Sequence, residues 1–544
     1  MALSLTAEQK SIFDIFSGKN QYIIPPYQRA YSWTENQCIE LFDDLEKAYH
    51  ENKEEGYFLG NIVIAKSIEE RNRLEVIDGQ QRLTTLTLLM KVLSTFDNTS
   101  EDLRNAINIP GSRRNDAEKQ RLMTNVFIEK DSKYLEEVLN MDFNEESCKT
   151  SRRENQFKKN ICFFYNKIKE FSKNNNIEDF TDFFLNDVSL LPIQTEDSSP
   201  EKAREKALKI FETINNRGLS LSDSDIFKAK LYSIALNQLK HDEFIQKWKD
   251  LDEECISINY SINDIFRFYT HIIRGKNTIK TAEIGLREFF TQKDYSPFNI
   301  KVSYEEILND LFTIIDVIKF YKNVLVNPDE YGMLTKWFQL ISEYSNQYAL
   351  STLIVYLYTF GLRNDQELVE FSKNLVRYSY YQGSTSKVKF YLFEVIVSLA
   401  KDKKQEFIYY PERAKSSDFE YFGKLKQGFS LLSLYLDDNQ KAIYPYYFNR
   451  IVQSRDIQNL DESWNEIEYD SYVDTLGNMM IIDHNITRDT RLNKKIQYLK
   501  KSKISEINSL SNELENWSYD CYLNRDDRLK SRILDFFEKP NEDN

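Results

Sequence analysis

The sequence predicts an α+β protein that is predominantly helical. The 544 residues include only 14 glycines and 10 prolines, which disfavours turn-rich sandwiches and propellers. Hydrophobic residues make up 41% of the chain and aromatic residues 14%, enough to form buried cores although 29% of the residues are charged. At about 150 residues per domain, a chain of this length is expected to form three to four domains.

The predicted strands lie near the start of the chain. Residues 21–24 form a β-type run that ends before two prolines, and β-branched runs at 60–65 and 74–77 predict a hairpin. From Leu83 to Leu93 the apolar residues recur at helical spacing. The segment 78–82 is therefore expected to lie between the end of a strand and the first turn of a helix.

Charge and cysteine content limit the possible function classes. The net charge of −14 leaves no overall positive field to hold nucleic acid, so any contact with DNA must be local. The five cysteines are dispersed and include no C-x-x-C pair, which favours reduced thiols over disulfides or structural zinc. The first residues do not resemble a secretion signal and no apolar run is long enough to span a membrane, so we expect a cytoplasmic protein.

The clearest local motif is the segment from Asp78 to Arg82. Gly79 allows the backbone to approach a ligand, while Gln80, Gln81 and Arg82 supply donors and the helix start presents free N–H groups. This pattern indicates a phosphate site in which Asp78 reaches a metal or a ribose hydroxyl. The alternative, slightly favoured by spacing alone, is a capped turn with Asp78 as N-cap and Arg82 paired with an acid.

A second polar and aromatic cluster surrounds Arg29. Its guanidinium is suited to a phosphate, and the neighbouring Tyr27 or Trp33 could stack on a base. The alternative is a helix entry in which Tyr31 and Trp33 are core residues and Arg29 forms a surface ion pair. The residues alone make that alternative at least as probable.

A basic stretch lies near the C-terminus. Between His484 and Lys503 the chain carries seven lysines and arginines against a single aspartate, Asp489. In a chain of net negative charge, this concentration predicts a surface that contacts DNA phosphates. The candidate DNA-binding residues are Arg488, Arg491, Lys494 and Lys495.

Four separated motifs, at 26–33, 58–60, 76–85 and 211–219, together resemble the GmrS/SspE-type family. The resemblance covers roughly residues 10 to 235. It implies a ParB/sulfiredoxin-like nucleotide-binding domain in a protein of bacterial defence against modified or phage DNA. The side chains of segment 78–82 would then bind a nucleoside triphosphate, GTP or ATP, with Arg29 nearby.

Residues 430–535 resemble a GmrD-like HNH nuclease domain, a ββα-metal module. The resemblance rests on the segment Leu476–Met479 followed by Asn485, Asn493, Lys501, Trp517 and Arg525. It implies that Asn478 orders the active-site loop and that Asn485 is a ligand of Mg²⁺ or another divalent metal.

Ala442 stands where this family places its general-base histidine, and Lys441 where it places an acid. Alanine cannot take a proton, so we expect the chain to be defective in HNH chemistry. The sequence leaves open whether a histidine was replaced by design or lost naturally. It also leaves open a third interpretation, in which 441–445 is a tyrosine-rich core strand.

These observations predict three domains. Residues 1–240 would bind nucleotide, 241–400 would form a helical linker domain, and 401–544 would be nuclease-like. The resemblance implies modification-dependent restriction of phage DNA, with nucleotide hydrolysis controlling DNA nicking or cleavage and with a second copy or a companion defence protein as a further partner. The alternative is a non-catalytic sensor of nucleotide or DNA that recruits an effector.

Overall fold

The computed structural model divides the chain into two compact units, Met1–Asp250 and Leu251–Asn544. Both are mainly helical, and strands occur in each, which confirms the predicted mixture of α and β structure. The structure describes residues 5–51, 55–68, 72–111, 118–126, 129–143, 146–148, 154–214, 222–300, 302–382, 385–401, 422–460, 462–464, 467–487 and 490–538. Most of the predicted domain boundary at 401–420, and the motif residues 215–219, lie outside this part, and the division into three domains stays a prediction.

A mixed sheet of seven strands forms the centre of the first unit. Its order is β1-β9-β4-β5-β3-β8, with β2 also paired to β9. The predicted hairpin is confirmed, because β4 and β5 are adjacent and antiparallel. Three other pairs of strands are parallel: β4 with β9, β3 with β5, and β3 with β8. The strands are β1 (Leu5–Ala7), β2 (Lys10–Ser11), β3 (Gln21–Ile24), β4 (Tyr57–Ser67), β5 (Arg73–Asp78), β8 (Leu122–Thr124) and β9 (Val188–Asp197), and a separate pair comprises β6 (Asn108–Ile109) and β7 (Lys119–Gln120).

Helices cover both faces of this sheet. They are α1 (Ile12–Ile15), α2 (Glu35–Glu51), α3 (Gln80–Phe96), α4 (Glu101–Ile107), α5 (Glu129–Leu139), α6 (Gln156–Phe171), α7 (Ile177–Asn186), α8 (Pro200–Ile214) and α9 (Asp223–Asn237); α10 (His241–Ser257) contains the division between the units. Because side chains alternate along a strand, Leu74 and Val76 enter the main core, while Glu75 faces α8. There Arg204 forms a bidentate ion pair with Glu75, at 2.5 and 2.7 Å.

The second unit is a helical assembly. Its helices are α11 (Ile262–Lys276), α12 (Leu286–Gln292), α13 (Tyr304–Val326), α14 (Pro328–Tyr331), α15 (Met333–Ser342), α16 (Tyr348–Phe360), α17 (Gln366–Gln382), α18 (Thr385–Leu399), α19 (Phe422–Tyr435), α20 (Tyr469–Tyr472), α21 (Leu492–Leu499), α22 (Ser505–Glu513) and α23 (Tyr519–Glu538). The apolar helix α16 packs against α11, α13 and α18. Across the described residues, none of the helices is both long and apolar enough to cross a membrane.

One antiparallel pair of strands, β10 (Tyr447–Arg450) and β11 (Met479–Ile482), lies in the second unit. A 3-10 helix, Leu476–Asn478, leads directly into β11. The interpretation of 441–445 as a core strand is wrong: this segment has no strand geometry and Tyr444 is 53% exposed. Each of the residues 441–445 is half-buried or exposed, so the segment has no buried face.

Candidate functional site

The turn between β5 and α3 carries the motif of residues 78–82. Gly79 is the N-cap of α3 and has a left-handed backbone, with φ of +89°. A Cβ at this position would lie 2.5 Å from Cγ2 of Ile62 on the neighbouring strand. The turn therefore requires glycine for its backbone conformation and for its packing. The prediction that Asp78 is the N-cap is wrong, because the N-cap of α3 is the next residue, Gly79.

Three charged side chains of the two predicted clusters meet at this turn. Burial raises the pKa of Asp78, against the opposing effects of the Gly79 N–H, of Arg82 and of Arg29. An electrostatic effect of both guanidinium groups on one carboxylate requires that they lie close to it. Arg29 therefore lies close enough to Asp78 for its charge to act on the carboxylate, although about 50 positions separate the two residues in the sequence.

Arg82 is fixed by the neighbouring strand. Its Nη1 donates a hydrogen bond of 2.7 Å to the carbonyl oxygen of Asn61. Its guanidinium lies beside Gly60, where a Cβ would be 3.5 to 3.6 Å from it, and Gly60 has φ of +103° in an irregular part of β4. Burial lowers the pKa of Arg82, while Asp78 and Tyr57 oppose this effect. The Phe58-Leu-Gly60 motif therefore shapes the wall on which Arg82 rests.

Gln81 connects the helix to the segment that carries Arg29. Its Oε1 accepts hydrogen bonds from the backbone N–H of Ser32 and Trp33, at 2.8 and 3.2 Å, and its Nε2 donates to the carbonyl of Ala30 at 3.0 Å. Gln80 is also buried, with 5% of its surface exposed. Both amide ends of Gln81 are thus engaged by the protein, so we assign it a positioning role.

The same segment is tied to β5 by two further contacts. The hydroxyl of Tyr27 donates to Glu75 at 2.5 Å, and Nε2 of Gln28 donates to the carbonyl of Ile77 at 2.8 Å. Tyr27 and Gln28 are both buried. These contacts hold the segment immediately before Arg29 against β5.

Arg29 itself is exposed. The aromatic residues that follow it are structural, because Tyr31 is buried and shares a hydrogen bond of 2.7 Å with Thr85, while Trp33 packs half-buried against the core. The alternative prediction was therefore right about the aromatic residues. Its assignment of Arg29 to a surface ion pair stays a prediction, as does the phosphate role; Arg29 is exposed and its charge acts on Asp78.

A cavity of about 200 Å³ lies on the Glu75 face of the sheet, beneath α8. Both prolines of the segment before Arg29 contribute to its wall, with Glu75, Arg204 and Tyr232. The Arg204 guanidinium lies 5.7 and 5.8 Å from the ring centres of Tyr27 and Tyr232. This cavity was not predicted, because Arg204 and Tyr232 belong to helices that follow β5 by more than 120 residues.

Residues 12–232 match the family model described as GmrSD restriction endonuclease, N-terminal domain. This part of the chain is similar to the N-terminal domain of GmrSD restriction endonucleases. The match includes the motifs at 26–33, 58–60, 76–85 and 211–219 and confirms the family resemblance drawn from them. None of the curated proteins compared with the chain matches it.

The GmrSD match ends before the residues that resemble a nuclease. Ala442 is half-buried and Lys441 is exposed. Backbone contacts fix the next residue, because Ile443 accepts a hydrogen bond of 3.0 Å from Gln339 Nε2 and donates one of 3.3 Å to the Tyr435 hydroxyl. Position 442 is therefore held in a defined place on α15 and α19.

Asn478 is buried and fully engaged. Its Oδ1 accepts from the Val452 N–H at 2.8 Å, and its Nδ2 donates to the carbonyls of Val452 and Val473, at 3.0 and 3.3 Å. These contacts join the loop after β10 to the start of β11. Asn485, in contrast, is exposed just beyond β11. The predicted roles of these two asparagines in catalysis stay predictions.

The candidate DNA-binding residues divide into different environments. Arg491 and Lys494 are exposed at the start of α21, whereas Arg488 lies outside the described residues. Lys495 is completely buried, and its ammonium donates to the carbonyls of Arg450 and Ile451, at 2.8 and 3.3 Å. Placing Lys495 on a DNA-binding surface was wrong, because it lies on the apolar face of α21 that packs inward.

Asp483 and His484, directly after β11, form a pair that none of the sequence motifs indicated. His484 Nδ1 lies 2.8 Å from Asp483, which also accepts from Ser502 Oγ at 3.0 Å and from the Lys503 N–H at 2.7 Å. Burial raises the pKa of Asp483, but these hydrogen bonds outweigh it and the pKa is lowered. The signal for this pair in the sequence was an aspartate next to a histidine directly after a strand.

The residues at the active-site positions of the nuclease resemblance do not fit a Mg²⁺ site. Ala442 has no donor atom, Lys441 is a cation, and Asn485 offers only a neutral amide, whereas Mg²⁺ favours carboxylates. Over the described part of the chain, no three His, Cys, Asp or Glu side chains are grouped so that they could hold a metal ion. We therefore derive no catalytic step through a metal.

Proposed function

We propose that this protein acts in modification-dependent DNA restriction, and that the first unit binds a nucleoside triphosphate that controls action on DNA by the C-terminal part. The GmrSD match over residues 12–232 carries the assignment to restriction and to DNA as the partner. The meeting of Arg29, Asp78 and Arg82 at one strand end supports the assignment of the nucleotide.

The site has the chemistry that a triphosphate requires. Arg29 is exposed, and Arg82 adds a second positive charge that acts on Asp78. The first turn of α3 has no side-chain cap, so its N–H groups and its dipole add to the positive potential. Asp78 would contact a ribose hydroxyl or a metal that accompanies the phosphates.

The folds that the resemblance implies belong to the same proposal. We assign a ParB/sulfiredoxin-like fold to the first unit and an HNH-like ββα module to the C-terminal residues. In support of the second assignment, the antiparallel strands β10 and β11 are followed by α21, which is the element order of a ββα module.

Nucleotide use is tested by phosphate release from GTP and ATP, with plain and modified DNA. We expect DNA-stimulated hydrolysis that falls at least tenfold in Arg29→Gln, since one phosphate-binding guanidinium contributes a charge-assisted hydrogen bond. Arg104→Gln is the control, because Arg104 is equally exposed on α4. Equal hydrolysis by both variants, or no nucleotide binding by the parent chain, would overturn the proposed nucleotide site.

The C-terminal activity is tested by nicking of supercoiled DNA with Mg²⁺. We expect the parent chain to be defective and Ala442→His to cut faster, because imidazole restores a general base. The double variant Lys441→Glu/Ala442→His also restores the acid and is expected to exceed the single variant. If neither variant cuts any DNA that the protein binds, the nuclease assignment of these positions fails.

A non-catalytic sensor is the second candidate function. Ala442 and Lys441 favour it, because both positions have lost the side chains that HNH chemistry uses. Such a protein would bind DNA and nucleotide without cutting in any of these variants, and would need a separate effector.

A further inference from the structure

A cleft of about 250 Å³ lies beside the β10–β11 pair in the second unit. It is formed where α19, β10 and α20 converge with the 3-10 helix Ser454–Asn459. The side chains that give it its chemistry are Lys426, Gln427, Phe448, Arg450, Ser454 and Tyr469. None of these residues belongs to the GmrSD match or to the predicted DNA-binding stretch.

The cleft has an excess of positive charge. Lys426 Nζ lies 3.0 Å from one oxygen of Asp474, and Arg450 Nη2 lies 2.6 Å from the other. Asp474 thus neutralises one of two cations, and the described residues lining the cleft include no aspartate or glutamate. The Lys426 and Arg450 side chains keep 30% and 38% of their surface exposed, so an anion in the cleft can reach both. In a chain of net charge −14, this local excess distinguishes the cleft.

Aromatic side chains stand beside these cations. Phe448 and Tyr469 line the cleft and are half-buried. Phe448 packs edge-to-face with Tyr446 at 5.6 Å between ring centres, and Tyr469 does so with Tyr472 at 5.4 Å. Cations next to positioned aromatic rings are the usual means of holding a phosphate and stacking the attached base.

Buried contacts fix the strand that carries Phe448 and Arg450. Lys495 donates to the carbonyl of Arg450 from its buried position, and Asn449 Nδ2 donates to the carbonyl of Ile486 at 3.1 Å. Arg450 is also paired with Met479 across the two strands. Lys495 is itself buried, but it therefore orders the backbone of Arg450, one of the two cations of the cleft.

We propose that this cleft binds one nucleotide of a DNA strand, with the backbone phosphate between Lys426 and Arg450 and the base against Phe448 or Tyr469. The inference rests on the proposed function in that it takes DNA as the ligand. It goes further by naming a binding site outside both the GmrSD domain and the basic stretch. Since a base must leave its stack to enter such a cleft, single-stranded DNA is the preferred form.

The test measures binding of fluorescent single-stranded and duplex oligonucleotides to the full chain over a range of salt concentrations. We expect Lys426→Gln and Arg450→Gln each to weaken binding about tenfold and to reduce the slope of log affinity against log salt by about one. Phe448→Leu should weaken binding of the single strand about tenfold, with little effect on the salt slope. Asp474→Asn should tighten binding, because it removes the competing carboxylate.

Lys319→Gln is the matched control. Lys319 is paired with Glu254 elsewhere in the second unit, so this variant changes the net charge equally without touching the cleft. Thermal unfolding identifies any variant that fails to fold. Each of the four cleft variants tests the assignment separately, so the loss of one to misfolding leaves the others. If the parent chain binds no DNA, the proposed function and the cleft fail together. If DNA binds but the cleft variants behave as Lys319→Gln does, or if they weaken only the binding of free GTP or ATP, the cleft assignment alone is overturned.

Discussion

The backbone N–H of Ser32 donates a hydrogen bond of 2.8 Å to the side-chain oxygen of Gln81. This contact joins two motifs that lie about 50 positions apart in the sequence. One glutamine of the Asp78–Arg82 segment therefore holds the loop that presents Arg29. Gln81 therefore has a positioning role for the segment that carries Arg29.

Gln81→Ala tests this connection. The change leaves two backbone N–H groups and the carbonyl of Ala30 without their partner, so we expect the free energy of unfolding to fall by about 2 to 4 kcal/mol. Urea denaturation measures the change. Gln246→Ala, which removes an exposed amide from α10, should stay within about 0.5 kcal/mol of the parent. Equal stability of the two variants would contradict the role of Gln81.

Gly79→Ala is expected to destabilise the first unit for two reasons. Left-handed backbone costs a non-glycine residue about 1 to 2 kcal/mol, and the new Cβ would overlap Ile62. Gly18→Ala separates these effects, because Gly18 has φ of +69° but no atom within 4 Å of the added Cβ. We expect Gly79→Ala to lose about 1 to 3 kcal/mol more than Gly18→Ala in thermal unfolding. Equal losses would show that packing against Ile62 contributes nothing.

The stability of the first unit should depend on pH through Asp78. Burial raises its pKa above the ordinary 3.8, so the folded protein binds this proton more tightly than the unfolded chain does. The contribution of Asp78 is then most favourable below pH 3.8 and is lost as the pH rises through the folded value. We expect Asp78→Asn to be more stable than the parent at pH 7, with the difference shrinking towards pH 4.

Asp197, in the same unit, should change the stability with pH in the opposite direction to Asp78. Hydrogen bonds from Lys206 and Ser198 lower its pKa to about 2, so its contribution is present above pH 3.8 and is lost as the pH falls towards 2. Asp197→Asn should therefore be less stable than the parent at pH 7. Urea denaturation of both variants between pH 3 and 7 checks the signs, and parallel pH profiles would contradict the prediction for Asp78.

Arg121 stabilises the start of the first unit. Its guanidinium is 1% exposed and donates to the carbonyls of Ser17, Asn20 and Asn105. Lysine cannot reproduce this planar set of donors, so Arg121→Lys should lower the free energy of unfolding by about 2 to 4 kcal/mol. Arg104→Lys, at an exposed site on α4, should be nearly neutral. A small effect of Arg121→Lys in chemical denaturation would contradict this assignment.

The elements that the sequence predicted are those set by local patterns. The change of period near Asp78 located the end of β5 and the start of α3. The hairpin of β4 and β5 followed from two adjacent β-branched runs. Each of these features depends on residues within about 20 positions of one another.

Features that depend on distant partners were not predictable. Lys495 looked like part of a basic surface because charge counts carry no information about which helix face packs inward. The cleft around Arg450 combines residues from α19, β10 and α20, whose meeting is decided by tertiary packing. Arg29 and Asp78 lie about 50 positions apart in the sequence, so the effect of one charge on the other could not be predicted from local patterns.

The position of β9 in the sheet governs when the first unit can be completed during protein synthesis. β9 lies between β1 and β4, and Leu5 of β1 pairs with Thr195. At about 5 to 20 residues per second, the ribosome needs roughly 10 to 40 s to make the intervening chain. Until then β4 presents an unpaired edge, which is where nascent chains associate with one another. A polypeptide that stops before residue 188 therefore lacks the strand that protects β4 and is expected to aggregate.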